Sequence, residues 1–297
     1  MLTVFQFQIE ENLYKNRLDK FLYEQIPSVS RMYLKYLITA GKCVVNGKIE
    51  NRGYHLQAGD SVEIEIDLRE QIEMLPENIP LKIVFEDEEL LVVDKPTGML
   101  AHPTKGVRCG TLLNAITYYL NFDEQSKSKT ERLIRAGLVH RLDKNTSGLM
   151  VIAKNPRSHR VLCSHFQRKL VEKKYFAVVE GIVEEDFGTI NAPIGRNAEE
   201  KFWYISSLED GKHAESIFRV IRRKADTTLL ELEPVTGRTN QLRLHCAHIG
   251  HAIIGDDKYG GREFSRLCLH AAKLSFWHPN GNIWLEFESD LPEEMFI

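Results

Sequence analysis

Apolar and polar positions along the 297 residues change rhythm several times, and each rhythm predicts an element. In RLDKFLYEQI, over 17–26, Leu18, Phe21 and Leu22 recur at helical spacing until Pro27 closes the segment. Ser28 and Ser30 offer caps for a second helix, MYLKYLITA over 32–40, which Gly41 stops. The period then falls to two. CVVNGK holds the Asn46-Gly47 pair of a tight hairpin, and VEIEI over 62–66 alternates as a half-buried strand does. These elements make a small α/β unit. QIEMLPENIP, with its two prolines and no period, marks the boundary and divides the chain into domains 1–75 and 76–297.

Beyond it, LLVVDKP (90–96), GLMVIAK (148–154), KYFAVVEG (174–181) and TLLELEP (228–234) are short β-branched or apolar runs. Helical stretches do not alternate with them regularly, so the expected class is α+β: a mixed, mostly antiparallel sheet with flanking helices. Asn155-Pro156 is a cap followed by proline at the first helical position, and opens a helix to about Leu170. In VTGRTNQLRLHCAHIG (235–250), Gly237 supplies a turn and Thr239 a cap. Leu242, Cys246 and Ile249 form the buried stripe of a helix ended by Gly250. SKSKTER, over 126–132, reads as a polar loop.

A composition of 43% hydrophobic and 27% charged residues is that of an ordinary globular protein. No apolar run approaches the roughly 20 residues that span a bilayer. The start, MLTVFQFQIEENL, lacks the order of a secretion signal, and the expected location is the cytoplasm. Five scattered cysteines without a C-x-x-C pair indicate neither a disulfide framework nor a cysteine zinc site. The net charge of −3 would repel a polyanion if it were spread evenly, but it is not. Between Lys15 and Lys48 seven basic residues, among them Arg17, Arg31 and Lys35, face two acids, and between Arg157 and Lys174 six face one. Two separate basic patches suit one extended anion, which makes Arg17, Arg31, Lys35, Arg157, Arg160 and Arg168 RNA-binding candidates. Arg157, Arg160 and Arg168 fall within roughly 80° of one another at 100° per residue, opposite Leu162, Phe166 and Leu170. A merely solvated charged face is the alternative.

Three constellations have chemistry in them. GLVHRLDKNTSGLMVIAKN (137–155) concentrates His140, Arg141, Asp143, Lys144 and Ser147 in a loop between apolar runs, where Arg141 and Lys144 would keep the Asp143 carboxylate ionised. The bland reading is a surface turn with an ion pair. KKYFAVVEG starts a strand with Tyr175 and Ala177 on one face, so Tyr175 is either a core residue or a ring that stacks on a base. Arg238 and Arg243, at the start of a helix, suit a carboxylate or phosphate. His245, His248 and His251 do not make a metal site, because the third lies about 120° from the first and past the helix end.

Together these segments resemble the RluA-type pseudouridine synthases with an N-terminal S-four-like RNA-binding domain. The likeness lies in VVDKPTGMLAHP (92–103), HRLDKNTSGLMVIAK (140–154), KKYFAVVEG (173–181), GRTNQLRLH (237–245), GDDKYGG and LCLHAAKLSF. It implies an RNA isomerase, acting on ribosomal RNA first and transfer RNA second, with no cofactor, no metal and no obligatory protein partner. Residue by residue it makes Asp143 the catalytic aspartate, Tyr175 the ring on the target base and Arg243 the ion-pair partner of Asp143. Arg141 would hold the flipped nucleotide, Leu269 would wall the uridine pocket and Arg238 would contact substrate. Asn240 departs from the histidine usual in that motif. Two rivals predict other outcomes: a non-catalytic RNA-binding or ribosome-assembly protein, and a metal-dependent nuclease using His245, His248, Asp256 and Asp257.

Overall fold

The computed structural model describes residues 2–10, 16–26, 29, 31–67, 76–104, 106–123, 136–197, 202–207 and 209–297. The chain divides into two compact units, Met1–Leu75 and Pro76–Ile297. No helix among the described residues is long and apolar enough to cross a membrane.

The first unit runs β1 (Leu2–Gln8), α1 (Leu18–Gln25), α2 (Arg31–Thr39), β2 (Cys43–Val45), β3 (Lys48–Ile49) and β4 (Ser61–Asp67). Its antiparallel sheet has the order β1-β4-β2-β3. Strict alternation in β4 sends Val62, Ile64 and Ile66 into a core with Leu18, Phe21, Leu22 and Leu34. Asn46 and Gly47 both take positive φ, as the hairpin they predict requires. The caps expected at Ser28 and Ser30 lie outside the described residues, as do Lys15, the side chain of Arg31 and the loop 126–132.

The second unit begins with β5 (Lys82–Glu86), β6 (Leu90–Lys95), α3 (Leu112–Phe122), β7 (Gly137–Leu138), β8 (Ser147–Ala153) and α4 (Pro156–Gln167). It continues through β9 (Glu172–Glu180), β10 (Phe187–Asn191), β11 (Ile194–Asn197), β12 (Phe202–Ile205), β13 (Glu215–Arg223) and β14 (Thr227–Pro234), and closes with α5 (Gln241–His248), β15 (Leu269–Trp277) and β16 (Trp284–Glu288). Ten strands form one sheet, ordered β10-β13-β14-β9-β15-β8-β6-β5, with β16 on β15 and β7 on β8. Only the β15–β8 pairing is parallel among the described pairs. The unit is therefore α+β on a mostly antiparallel sheet.

Strand β8 is buried along its whole length, which explains its unbroken apolar run. Met150 and Ile152 pack with Leu112, Ile116 and Leu120 of α3 on one face, while Leu149, Val151 and Ala153 pack with Leu162 of α4 on the other. Asn155 caps α4 by accepting from the Ser158 backbone N–H at 2.9 Å. The helix ends earlier than its pattern suggests. Lys169 turns left-handed (φ 57°), the Leu170 N–H returns to the His165 carbonyl and the Lys169 N–H to that of Phe166. That closure places Leu170 past the helix, 38% exposed, instead of on its buried face.

Candidate active site

The loop between β7 and β8 holds Asp143, and buried polar contacts fix its course. Lys95, fully buried at the end of β6, donates from Nζ to the carbonyls of Pro96 (2.8 Å), Met99 (2.9 Å) and Lys144 (3.2 Å). Thr97 Oγ1 donates to the Asn145 carbonyl at 2.7 Å. The turn after β6 is thus bound to the residues that follow Asp143. At Gly148 the chain enters β8 at φ +117°, where a Cβ would stand 2.3 Å from the Ala271 carbonyl oxygen. Only glycine permits the close approach of β8 to β15 there.

His140, next to the loop, is structural. Its Nε2 accepts from the Val151 N–H at 3.1 Å, its ring stacks on Phe166, and burial lowers its pKa to about 3. Below the loop, the Ser147 hydroxyl meets Arg266 and, at 2.8 Å, His270 Nδ1. The far nitrogen of His270 reaches Ser289 Oγ at 3.1 Å, and Ser289 donates to Asp94 at 2.7 Å.

The Asp143 side chain is 33% exposed. Desolvation raises its pKa above the ordinary aspartate value, against the downward pull of Arg243, Arg141 and Lys95. This differs from the sequence expectation, in which Arg141 and Lys144 dominate its charge. Lys144 contributes its carbonyl to Lys95, and burial outweighs the cations. Arg243 Nη1 stands 3.9 Å from Asp143 Oδ2, an ion pair beyond hydrogen-bond reach. Its close partner is Asp256, which accepts from Nε at 2.7 Å and from Nη2 at 2.6 Å. The expected pairing with Asp143 is thus secondary to a bidentate fork on a fully buried aspartate. Gly255 gives Asp256 this place: at φ +78°, any Cβ would meet the Arg266 carbonyl oxygen at 1.9 Å.

Helix α5 carries Arg243, and its start also differs from expectation. Asn240, not Thr239, is the N-cap residue, in the left-handed region (φ 56°), and its side chain makes no capping bond. Asn240 Oδ1 accepts from Arg243 Nη1 at 3.3 Å and its Nδ2 donates to Tyr259 Oη at 2.8 Å. The Tyr259 ring lies 4.9 Å from the guanidinium carbon.

Tyr175 sits half-buried on β9, opposite Ala271 of β15 and Leu232 of β14. Burial raises its phenol pKa, and the Asp143 charge adds to the rise. Leu269 pairs with Ala177, so it shares a sheet face with Tyr175 and is 3% exposed. Arg141 is exposed, with Nη1 3.5 Å from His102 Nε2. Arg238 is exposed too, and its Nε donates to the His213 carbonyl at 2.9 Å. On α4, Arg157 and Arg160 are exposed, with Arg157 held by Asn280 at 2.9 Å, and Arg168 is the exposed C-cap. In the first unit, Arg17 (3.0 Å) and Lys35 (3.9 Å) both flank the buried carboxylate of Asp19, which offsets part of that patch.

Two of the four nuclease candidates have other partners: His245 is bonded to Ser216 and the Ala192 carbonyl, and Asp256 to Arg243. Of the three-histidine set, His251 Nδ1 is bonded to the Glu180 carbonyl. Lys95, Asp256 and Tyr259 belong to the site but were not assigned to it from sequence. Their signal is VVDKP and GDDKYG, the motifs that hold them.

Comparison with known proteins agrees with this geometry. Residues 89–248 match the RNA pseudouridylate synthase family. An RNA pseudouridine synthase of Bacillus subtilis is 40% identical, the match covering 94% of this chain and 91% of the relative. Ribosomal large subunit pseudouridine synthase D of Pseudomonas aeruginosa is 37% identical over 94% and 89% of the two chains, and that of Escherichia coli K12 is 34% identical over 97% and 90%. Among solved structures, human RNA pseudouridylate synthase domain containing 1 superposes with a TM-score of 0.58 at 27% identity, over 72% of this chain and 85% of that one. With the Asp143 loop, the Tyr175 strand and the Arg243 helix brought together on one sheet, and with relatives this close along nearly the whole length, the chain belongs to the RNA pseudouridine synthase family.

Proposed function

We propose that this RNA pseudouridine synthase acts on ribosomal RNA of the large subunit, with transfer RNA the second candidate, and that Asp143 carries the chemistry. One observation carries the substrate reading. Relatives named ribosomal large subunit pseudouridine synthase D match 94–97% of the chain, so the likeness extends past residues 89–248 into the N-terminal unit.

Isomerising a uridine means breaking the bond from sugar to ring nitrogen, turning the base, and joining the sugar to a ring carbon. Atoms and electrons balance without a co-reactant, so the reaction asks for no cofactor. A carboxylate serves either by attacking the anomeric carbon or by taking the proton of the neighbouring sugar carbon to leave a glycal. Asp143 suits both, since burial makes it a better base than an exposed aspartate. The target must leave its stack to reach it. Tyr175 would replace the lost stacking partner, Leu269 would wall the pocket, and Arg141 and Arg238 would hold the everted nucleotide and its neighbours. Arg157, Arg160 and Arg168 on α4, with Arg17, Arg31 and Lys35 in the S-four-like unit of residues 1–75, would contact flanking phosphates.

The test is to map pseudouridines across total RNA from cells with and without the gene, then to ask whether purified protein restores the missing positions on a transcript. Missing sites in large-subunit RNA, restored in vitro, are expected; loss confined to transfer RNA would overturn the substrate reading. Deleting residues 1–75 should weaken RNA binding and flatten its salt dependence, the log–log slope falling by on the order of one for each phosphate that the unit neutralises. Unchanged binding would refute the role given to that unit.

A further inference from the structure

We propose that Asn240 and Tyr259 are positioning residues that keep Arg243 shared between Asp256 and Asp143, at a distance that leaves the catalytic carboxylate only loosely paired. The inference rests on Asp143 being that carboxylate.

A guanidinium presents its N–H groups in a rigid fork, so fixing one edge fixes the rest. Asp256 takes the Nε–Nη2 edge, and its Oδ1 also accepts from the Tyr259 N–H at 3.3 Å. The Tyr259 ring backs the plane of the fork. Nη1 remains, the nitrogen nearest Asp143, and it has two claimants: Asn240 Oδ1 at 3.3 Å and Asp143 Oδ2 at 3.9 Å. The amide holds the nearer place, steadied by its own bond to Tyr259 Oη. Asn240, Tyr259, Asp256 and Arg243 therefore close a ring of contacts, and Asp143 stands just outside it.

A second observation points the same way. Asparagine at an N-cap ordinarily accepts from the first turn of its helix, a bond worth about 1 kcal/mol. Asn240 makes no such bond and sits at φ 56°, so its side chain serves the arginine and the tyrosine at the expense of the helix start. Full capture of Arg243 by Asp143 would give a tighter ion pair and a weaker base. The groups acting on Asp143 are the cations Arg243, Arg141 and Lys95 and the like charge of Asp256, while the phenols of Tyr175 and Tyr259 in turn sense its charge. Among them, Arg243 is the one whose reach Asn240 controls.

The experiment follows the carboxyl carbon of Asp143 by NMR in the full-length, RNA-free protein as pH is varied, with Asp143→Asn identifying the signal. Asn240→Gly and Asn240→Asp both tolerate the left-handed backbone. Without the amide, Nη1 turns to Asp143 and the titration midpoint falls by roughly one pH unit. With a carboxylate in its place, Nη1 is drawn away, a negative charge is added, and the midpoint rises by a similar amount. Tyr259→Phe, which keeps the ring and frees the amide, shifts it downward by less and serves as the deciding variant if Asn240→Gly fails to fold. Midpoints that stay put, or move the same way in both Asn240 variants, would overturn the proposal, because a merely structural role for the amide predicts no opposed shifts. Activity of Asp143→Asn on the RNA is read separately. Its retention would remove the catalytic reading and leave the titration result standing.

Discussion

Replacing Asp256 with asparagine removes the charge that matches a buried arginine. Arg243 is 8% exposed and Asp256 is fully buried, joined by two bonds of 2.6 and 2.7 Å. Truncating one partner of such a pair costs about 3–5 kcal/mol, because the remaining charge cannot regain water. Asp143, 3.9 Å away, supplies partial compensation, which puts the expected loss near the lower end, at about 3 kcal/mol. In a unit of this size that lowers the midpoint of thermal unfolding by roughly 6–12 °C. All three tryptophans, Trp203, Trp277 and Trp284, lie beyond residue 76, so their fluorescence reports this unit and not the N-terminal one. In an Asp143→Asn background the same change should cost on the order of 1 kcal/mol more than it does alone, since no carboxylate is then left near the arginine. A single-variant loss under about 1 kcal/mol, or strict additivity, would refute the sharing of Arg243 between the two aspartates.

Other consequences can be checked independently. Asp143→Asn should abolish isomerisation, keep RNA binding and raise the unfolding midpoint at pH 7; because the folded-state pKa of the carboxyl is raised, ionising it disfavours the fold, so the gain should vanish as pH falls below the ordinary aspartate range. A gain that persisted at that lower pH would contradict the linkage. Tyr175→Phe should retain most activity and Tyr175→Ala lose about ten- to a hundredfold, as the loss of a stacked ring at about 1–3 kcal/mol requires; equal losses in steady-state assays would count against stacking. Gly148→Ala should cost more than about 4 kcal/mol or prevent folding, since the added carbon meets strand backbone at 2.3 Å, whereas Gly98→Ala, with nothing within 4 Å, should cost about 1–2 kcal/mol. Similar denaturant midpoints for the two variants would show that the strands can part.

The α+β class was readable because alternation in β4 and the β-branched runs of β6, β8, β9 and β14 are local signals of pairing. Strand β15 was not. LHAAKLSFW of β15 has no clean period, since most of its residues are covered on either side of the sheet. The neighbourhood of Asp143 was legible as a cluster of charge, but its partners were not. Sequence spacing cannot say which of two aspartates occupies the fork of an arginine, and the nearer in sequence, Asp256, holds it. Outside its VVDKP motif Lys95 reads as solvated, as a lysine at a strand end does, while here three carbonyls receive its ammonium and burial lowers its pKa to about 8. Thr239 and Asn240 both belong to the cap-forming residue types, and the backbone sets the helix start at Asn240.

Strand β15 occupies the middle of the ten-stranded order, between β9 and β8, although it is made almost last. Until β15 is made, β9 and the start of β8 at Ser147–Gly148 lack the neighbour they pair with, and the edge of β9 is a row of backbone donors and acceptors able to template foreign pairing. A polypeptide halted before residue 269 lacks the strand that links β8, which follows the Asp143 loop, to β9, which carries Tyr175. The same late strand thus completes the sheet under the candidate site and covers the edge of β9.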